Sequence, residues 1–206
     1  MPLTLRLTIV KEGGVIMRRW KMVGIISIIF VLLAIYPLES KEDEEPILEG
    51  RAFVPYVTSQ GASGEHFFSQ AAVTAIDLHT GKVVASGETK IDGSYKISVL
   101  PGRSYLIQFQ RDGQIILDVC GRVKKGERYN LSFADARTTA MSLVLLRLLS
   151  EKKDPNIIIN YKANRILKNE FFPLLEQKVF GAIAQRSNPE NDPEIELLIN
   201  RIASAV

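Results

Sequence analysis

The stretch from Lys82 to Tyr105 constrains the fold more than any other part of the sequence. It contains two turn signals, Asp92-Gly93 and Pro101-Gly102, and between them Tyr95, Ile97 and Val99 alternate with polar residues. A tight hairpin turn that matches strand twist needs positive φ, which glycine adopts without strain. Alternation with a period of two is typical of a half-buried strand. The stretch therefore predicts three antiparallel strands joined by two tight turns, with a two-residue turn at Asp92-Gly93.

The same succession of strands and turns continues on both sides of this stretch. Short strands at intervals of about 8–12 residues, each bounded by a turn former, favour a small antiparallel sandwich. We predict seven strands, with approximate bounds Ile47–Val54, Ala72–Leu78, Lys82–Gly87, Ser94–Leu100, Ser104–Gln110, Gln114–Cys120 and Glu127–Phe133. The residues expected to face inward from the last three strands are Tyr105, Ile107 and Phe109, then Ile115, Leu117 and Val119, and finally Tyr129, Leu131 and Phe133.

The period of the pattern becomes helical after Phe133. An apolar stripe with i, i+3, i+4 and i+7 spacing in the last segment is typical of a helix packed on a core. The expected helices are Ala134–Glu151 with Asp135 as N-cap, about Asn156–Asn169, Pro173 to about Gln185, and a last one that starts at Asp192-Pro193. The predicted fold class is α+β: a seven-stranded antiparallel β-sandwich of the Ig or transthyretin type, followed by about four helices.

Residues 17–36 carry the signals of export. Arg18, Arg19 and Lys21 precede an uncharged apolar run of 15 residues, from Met22 to Tyr36, and acidic residues follow it. This charge asymmetry predicts an N-terminus inside and the remainder exported. The run is shorter than the ~20 residues of a full span, which favours a signal peptide. The poor cleavage site favours an uncleaved anchor, so both interpretations of this N-terminal hydrophobic helix stay open.

The chain divides into five parts. Residues 1–16 are interpreted as a mis-assigned start, because Lys11-Glu12-Gly13-Gly14 is what a purine-rich ribosome-binding site would encode just before Met17. Residues 17–36 are the signal peptide or anchor, and residues 37–46 form an acidic linker that self-repulsion extends. The sandwich occupies residues 47–133 and the helical region residues 134–206.

The net charge of +3 comes from the N-terminus. Residues 1–36 hold five basic residues and one acidic residue, whereas the remainder holds 21 basic and 22 acidic residues. The body of the protein is therefore close to neutral and shows no basic stripe. Nucleic-acid binding is not expected for such a charge distribution.

The sequence offers few residues for catalysis. His66 and His79 are the only histidines, and their separation does not match a metal-ligand spacing. Cys120, the single cysteine, is expected to be a small residue on or near the inner face of a strand. We predict no catalytic residues, no metal site and no cofactor, so the protein is not expected to be an enzyme.

One segment is a candidate for ligand binding. The stretch Pro55–Gln70 is rich in glycine, serine and glutamine and is predicted to be a long loop. It contains His66, Phe67 and Phe68. Exposed aromatic residues beside glycine and serine suit the binding of sugar rings or of a partner protein. These three residues are the predicted ligand-binding loop.

The turn and strand motifs resemble those of carboxypeptidase-regulatory-like domains, over roughly residues 47–133. The motifs that carry the resemblance are Gly50-Arg51-Ala52, Ala72-Val73-Thr74-Ala75, Thr80-Gly81-Lys82-Val83-Val84, Gly87-Glu88-Thr89, Asp92-Gly93-Ser94-Tyr95, Leu100-Pro101-Gly102 and Tyr105. The resemblance implies a transthyretin-like sandwich in an exported or membrane-anchored protein. It also implies a scaffold or binding role, with no catalytic residues to carry over.

These observations predict a non-enzymatic scaffold or binding module of the cell envelope. It would be a single-pass membrane protein held by residues 22–36 with its C-terminus outside, or a secreted or periplasmic protein. Its partner would be a cell-wall glycan or another envelope protein. Two alternatives stay open: a subunit of a surface or secretion assembly with the C-terminal helices as its interface, and an envelope enzyme with an unrecognised site.

Overall fold

The computed structural model describes residues 45–150 and 154–206. The predicted N-terminal hydrophobic helix and most of the acidic linker lie outside the described residues. Within the described residues the fold is α+β, with eight strands and four α-helices that follow the strands. In this part of the chain, no helix combines the length and the apolar character that crossing a membrane requires.

The strands are β1 (Ile47–Val57), β2 (Ser63–Phe67), β3 (Ala72–Asp77), β4 (Val83–Glu88), β5 (Ser94–Ser98), β6 (Tyr105–Arg111), β7 (Gln114–Cys120) and β8 (Arg128–Ala134). The helices are α1 (Ala136–Leu149), α2 (Pro155–Leu167), α3 (Phe172–Ala184) and α4 (Pro193–Ala205), with a short 3-10 turn at Pro189–Asn191.

The strands form two four-stranded sheets. In the first sheet β1 is central: β5 pairs antiparallel with its first half, β2 pairs antiparallel with its second half, and β8 runs parallel to it. The second sheet has the order β4-β3-β6-β7 and is antiparallel throughout. The prediction of seven strands, all antiparallel, was wrong in two respects, because it missed β2 and the parallel pairing of β8.

The two sheets pack face to face across a core of apolar side chains. Tyr95 of β5 meets Phe109 of β6 with ring centroids 4.8 Å apart. Tyr105, Ile107 and Phe109 are all fully buried, which confirms the inward face predicted for β6.

The strand β7 is buried on both faces, and its predicted inward face was wrong. The β6–β7 register places Ile116 beside Phe109, so the inner face of β7 carries Ile116, Asp118 and Cys120. The predicted set of Ile115, Leu117 and Val119 lies on the opposite face, where α1 packs and the Leu117 N–H donates to Thr139 Oγ1 at 3.0 Å. A strand that is apolar on both faces has no alternation from which to choose the inward one. The buried position of Cys120 confirms the expectation for that residue.

The strand β8 contains an irregularity that reverses one side chain. Ser132 has a φ of 58°, its N–H donates to Asn130 Oδ1 at 2.8 Å, and the pairing with β1 shifts register at this point. A bulge of this kind changes which face a side chain occupies. Phe133 therefore lies on the outer face with 56% of its surface exposed, and Ala134 is buried. The prediction that Phe133 faces inward was wrong for this reason.

The helices cover the second sheet at β7. The side chain of Asp135 accepts from Thr138 N–H and that of Asp192 from Glu194 N–H, which confirms both predicted helix starts. The apolar α1 packs on β7 and also contacts α2, α3 and α4. The helical region and the two sheets therefore share one continuous hydrophobic core.

Candidate binding surface

The three residues of the predicted binding loop do not come together. The segment Pro55–Gln70 holds β2, so its assignment as a loop was wrong, and successive side chains of a strand point to opposite faces. His66 lies against Tyr56 with ring centroids 5.5 Å apart. Phe67 points the other way, and Phe68, just after the strand, is fully buried. Of the three, only Phe67 lies on the outer face of the first sheet.

Phe67 belongs to an exposed cluster of rings, which we call the aromatic patch, formed by Phe53, Phe67 and Phe133. The ring centroid of Phe53 is 5.3 Å from that of Phe67 and 5.3 Å from that of Phe133. Phe67 is 42% exposed and Phe133 is 56% exposed. The guanidinium carbon of Arg51 lies 5.8 Å from the Phe67 ring centroid, so a cation borders the patch.

Polar side chains continue the same face beyond the patch. The strand register places Lys96, Glu49 and Asn130 side by side across β5, β1 and β8, and the next row holds Ser94, Arg51 and Phe133. Residues two apart on a strand share a face, so both rows lie on the outer surface. Together with Lys90 they line an open groove of about 550 Å³, which we call the polar groove.

The polar groove is lined by three cations, Arg51, Lys90 and Lys96, and by one carboxylate, Glu49. The guanidinium of Arg51 lies 3.8 Å from Asp92. Hydrogen bonds from the side chain and backbone of Ser94 lower the pKa of Asp92, which keeps this partner ionised. Neither lysine side chain makes a hydrogen bond or ion pair with another residue of the described ranges. The groove therefore presents two free ammonium groups to solvent.

The turn between β4 and β5 closes the end of the surface. The two strands belong to different sheets, so the turn at Asp92-Gly93 connects the sheets and the predicted hairpin was wrong. Lys90 N–H donates to the carbonyl of Ser94 at 2.8 Å, and Gly93 N–H donates to the carbonyl of Lys90 at 2.9 Å. The connection between this hydrogen-bonded pair thus has three residues, and the predicted two-residue turn was wrong. Gly93 has a φ of 72°, and an added Cβ would lie 2.6 Å from the Ala52 carbonyl oxygen. A second open groove, of about 810 Å³, lies between this turn and Phe67.

Three side chains with ionisable groups, Asp118, Cys120 and Tyr95, lie in the sandwich interior, away from this surface. Burial, and secondarily the charge of Asp135, raises the pKa of Asp118 to about 7. Burial, and secondarily the charge of Asp118, raises the pKa of the Cys120 thiol to about 12. The buried hydroxyl of Tyr95 has no hydrogen-bond partner, and burial raises its pKa as well. These groups lie between the two sheets, where a thiol is held in its unreactive protonated form.

The two histidines lie on different elements, and the ring Nδ1 of His79 is 3.6 Å from Asp77 Oδ1. His79 lies in the turn after β3, where its backbone N–H donates to Asp77 at 2.8 Å, whereas His66 lies on β2. No group of three His, Cys, Asp or Glu residues in the described ranges could hold a metal ion.

Sequence reasoning missed most of the exposed surface. The alternation of Glu49, Arg51 and Phe53 along the first strand was a usable signal, because these residues share a face if the strand is regular. Phe133 could not be assigned in the same way, since its orientation depends on the left-handed residue Ser132.

Comparisons with known proteins do not show a family for this chain. No family model matches the chain, and neither does any curated protein. Among solved structures, the chain aligns with a 9R-lipoxygenase from Cyanothece PCC8801 at 7% identity and a TM-score of 0.28. The alignment covers 71% of this chain but only 25% of the lipoxygenase chain, so the protein spans about a quarter of the length of that enzyme. A similarity at this level carries no argument about fold or activity.

Proposed function

We propose that this protein is an exported, non-enzymatic binding module of the cell envelope, and that its ligand contacts the outer face of the first sheet. The observation that supports the proposal is an asymmetry between the sheets. Helix α1 covers the outer face of the second sheet at β7, and α3 contacts β1, but on the outer face of the first sheet Phe67 and Phe133 stay exposed. Exposed aromatic clusters beside arginine are typical of binding surfaces.

The rest of the proposal extends the sequence predictions. The resemblance to carboxypeptidase-regulatory-like domains supports a transthyretin-like scaffold, and the charged flanks of residues 22–36 support export, as either a cleaved signal or a membrane anchor. A binding role without catalysis agrees with the burial of Asp118 and Cys120 between the sheets. The partner would be a cell-wall glycan or another envelope protein rather than a nucleic acid.

Retention on isolated envelope fragments tests the binding role. The purified full-length protein is compared with the double variant Phe67→Ala/Phe133→Ala and with a matched control, Val83→Ala/Leu100→Ala, which removes exposed apolar side chains outside the patch. Loss of two central aromatic contacts should weaken retention by about tenfold or more. Retention that is equal in wild type and patch variant would refute the proposed surface. Accessibility of the body to protease added outside intact cells tests export separately.

A second candidate function uses the helices as an interface within a larger assembly. Ile157 and Tyr161 lie one turn apart on α2 and are 58% and 73% exposed, so they form an exposed apolar pair on one face of the helix. Concentration-dependent mass of the full-length protein, abolished by Ile157→Ser/Tyr161→Ser and unaffected by Phe67→Ala/Phe133→Ala, would favour this function over the first.

A further inference from the structure

We infer that the polar groove binds an acidic glycan, a polysaccharide whose sugar rings carry carboxylates; this inference rests on the proposed function of the same face. The groove joins the aromatic patch at Phe133, so that one continuous surface offers both cations and exposed rings. A ligand that uses the whole surface must carry negative charge and apolar ring faces together.

The cations are the first part of the argument. The side chains of Lys90 and Lys96 are exposed and have no partner among the described residues. Arg51 lies beside Phe67 and Phe133 of the aromatic patch. Lys96 lies directly across from Glu49 without forming an ion pair, so its ammonium group is available to a ligand. Even with Asp92 paired to Arg51, the two lysines outweigh Glu49, so the groove keeps a net positive charge that attracts an anionic ligand.

The neutral residues favour a sugar over another anion. Ser94, Ser132 and Asn130 line the groove and can donate and accept hydrogen bonds, as sugar hydroxyls require. The rings of Phe67 and Phe133 offer apolar faces on which the carbon–hydrogen faces of sugars can stack. Residues 49 to 53 of β1 span roughly 13 Å, so a small anion such as phosphate bound beside Lys96, in the row of Glu49, would not reach Phe67, in the row of Phe53.

The position of the groove argues against an acidic peptide. Extended peptides commonly add to an exposed sheet edge through backbone hydrogen bonds, and helical peptides lie in apolar grooves between elements. The polar groove lies on the face of three paired strands, where backbone groups are already engaged in the sheet. Its contacts with a ligand are therefore made by side chains, which suits a polymer of rings and hydroxyls.

One substitution in the groove is expected to strengthen binding of an acidic ligand rather than weaken it. Glu49 lies between Lys96 and Asn130 in the register and carries the wrong charge for an acidic ligand. Replacing Glu49 by glutamine removes this repulsion and keeps the size of the side chain. If the ligand is acidic, Glu49→Gln should bind it more tightly than the wild type does, by a few fold.

The experiment uses polygalacturonate as the acidic probe, dextran as the neutral glycan and poly-glutamate as the acidic peptide. Binding to the full-length protein is measured by calorimetry at neutral pH and low salt. Lys90→Gln/Lys96→Gln should reduce polygalacturonate binding by about tenfold or more, because it removes two charge-assisted contacts. The control Lys82→Gln/Lys168→Gln removes two exposed charges elsewhere and should bind as the wild type does.

Each outcome decides the inference. Tight binding of polygalacturonate only, weakened by the groove variant and strengthened by Glu49→Gln, supports it. Equal or tighter binding of poly-glutamate or dextran overturns it, as does a groove variant that binds polygalacturonate as the control does. Retention on envelope fragments without polygalacturonate binding overturns this inference and leaves the proposed function intact. Polygalacturonate binding by a protein that stays inside the cell contradicts the proposed function instead.

Discussion

Replacing Asp118 by asparagine should remove the loss of stability that this buried carboxyl causes as pH rises from about 4 to about 7. Asp118 is 6% exposed and lies on the inner face of β7, between the two sheets. Its Oδ1 accepts from Val119 N–H at 2.8 Å, a bond that an asparagine carbonyl can keep. Burial is the main cause that raises the pKa of this carboxyl from 3.8 to about 7, and the charge of Asp135 adds to it.

The magnitude follows from linkage between protonation and folding. The pKa of Asp118 is raised in the folded protein. Its contribution to the unfolding free energy is therefore fully present below the pKa of the unfolded chain, 3.8, and is lost as pH rises through the pKa of the folded protein, about 7. The difference of about 3 pH units corresponds to about 4 kcal/mol at ~1.4 kcal/mol per unit. The wild type should therefore lose up to about 4 kcal/mol of unfolding free energy between about pH 4 and pH 8 from this group alone.

The assay is urea unfolding followed by circular dichroism at a series of pH values, for the full-length wild type and Asp118→Asn. The difference in unfolding free energy should grow in favour of the variant as pH rises, toward about 4 kcal/mol at pH 8. Asp92→Asn serves as the matched control. Hydrogen bonds from Ser94 lower the pKa of Asp92, so its contribution is lost only as pH falls through this lowered value, and its variant should keep the wild-type slope above about pH 5.

The result that would refute this reasoning is a pair of parallel profiles. If Asp118→Asn and the wild type change stability equally between about pH 5 and pH 8, Asp118 is ionised in the folded protein at the lower pH. Its position between the sheets would then have to be satisfied by contacts other than those in this structure.

Three further predictions concern the packing of the first sheet. Gly93 and Gly81 both have positive φ, where an alanine costs about 1 kcal/mol. Gly93→Ala should cost clearly more stability than Gly81→Ala, because only at Gly93 would the added Cβ lie 2.6 Å from a carbonyl oxygen; equal losses in thermal unfolding would contradict the clash. Tyr95→Phe should leave stability unchanged or raise it by about 1 kcal/mol, because the buried hydroxyl lacks a partner; a large loss by chemical unfolding would mean that the hydroxyl is bonded. Phe68→Ala should destabilise by about 3–5 kcal/mol, whereas Phe67→Ala, on the surface, should cost about 1 kcal/mol or less; similar values for the two would refute the assignment of Phe68 to the core and Phe67 to the patch.

The sequence predicted best those elements whose signals are local. The helix starts at Asp135 and Asp192 follow from capping residues, and Gln114–Cys120 was predicted with its observed bounds. Such signals depend on a few neighbouring residues, and tertiary contacts reinforce them rather than oppose them.

Elements that depend on distant contacts were harder to predict. β2 has the sequence Ser-Gly-Glu-His-Phe, which contains no alternation of apolar residues, and it forms because β1 extends to Val57 and offers an edge to pair with. The inward face of β7 is decided by its register with β6 and by the packing of α1, neither of which is visible in the strand itself.

The candidate binding surface was anticipated only in part. Phe67 was named from its exposed aromatic character, but the grouping with His66 and Phe68 assumed a loop, in which neighbouring side chains can share a surface. In a strand they cannot, and the neighbours of Phe67 in space come instead from β1 and β8. Residues far apart in sequence build this surface, which is why their common location required the structure.

The parallel pairing of β1 with β8 has a consequence for the order in which the protein folds. Ile47 lies beside Arg128, so the first sheet cannot close until almost two thirds of the chain is available. Contacts between such distant residues slow folding and leave β1 unpaired on one side in the meantime. In a chain that emerges N-terminus first from a ribosome or a translocation channel, β1 cannot pair with β8 until β8 has emerged. If the protein is exported as we propose, this delay keeps the sheets open during passage and places their closure on the outer side of the membrane.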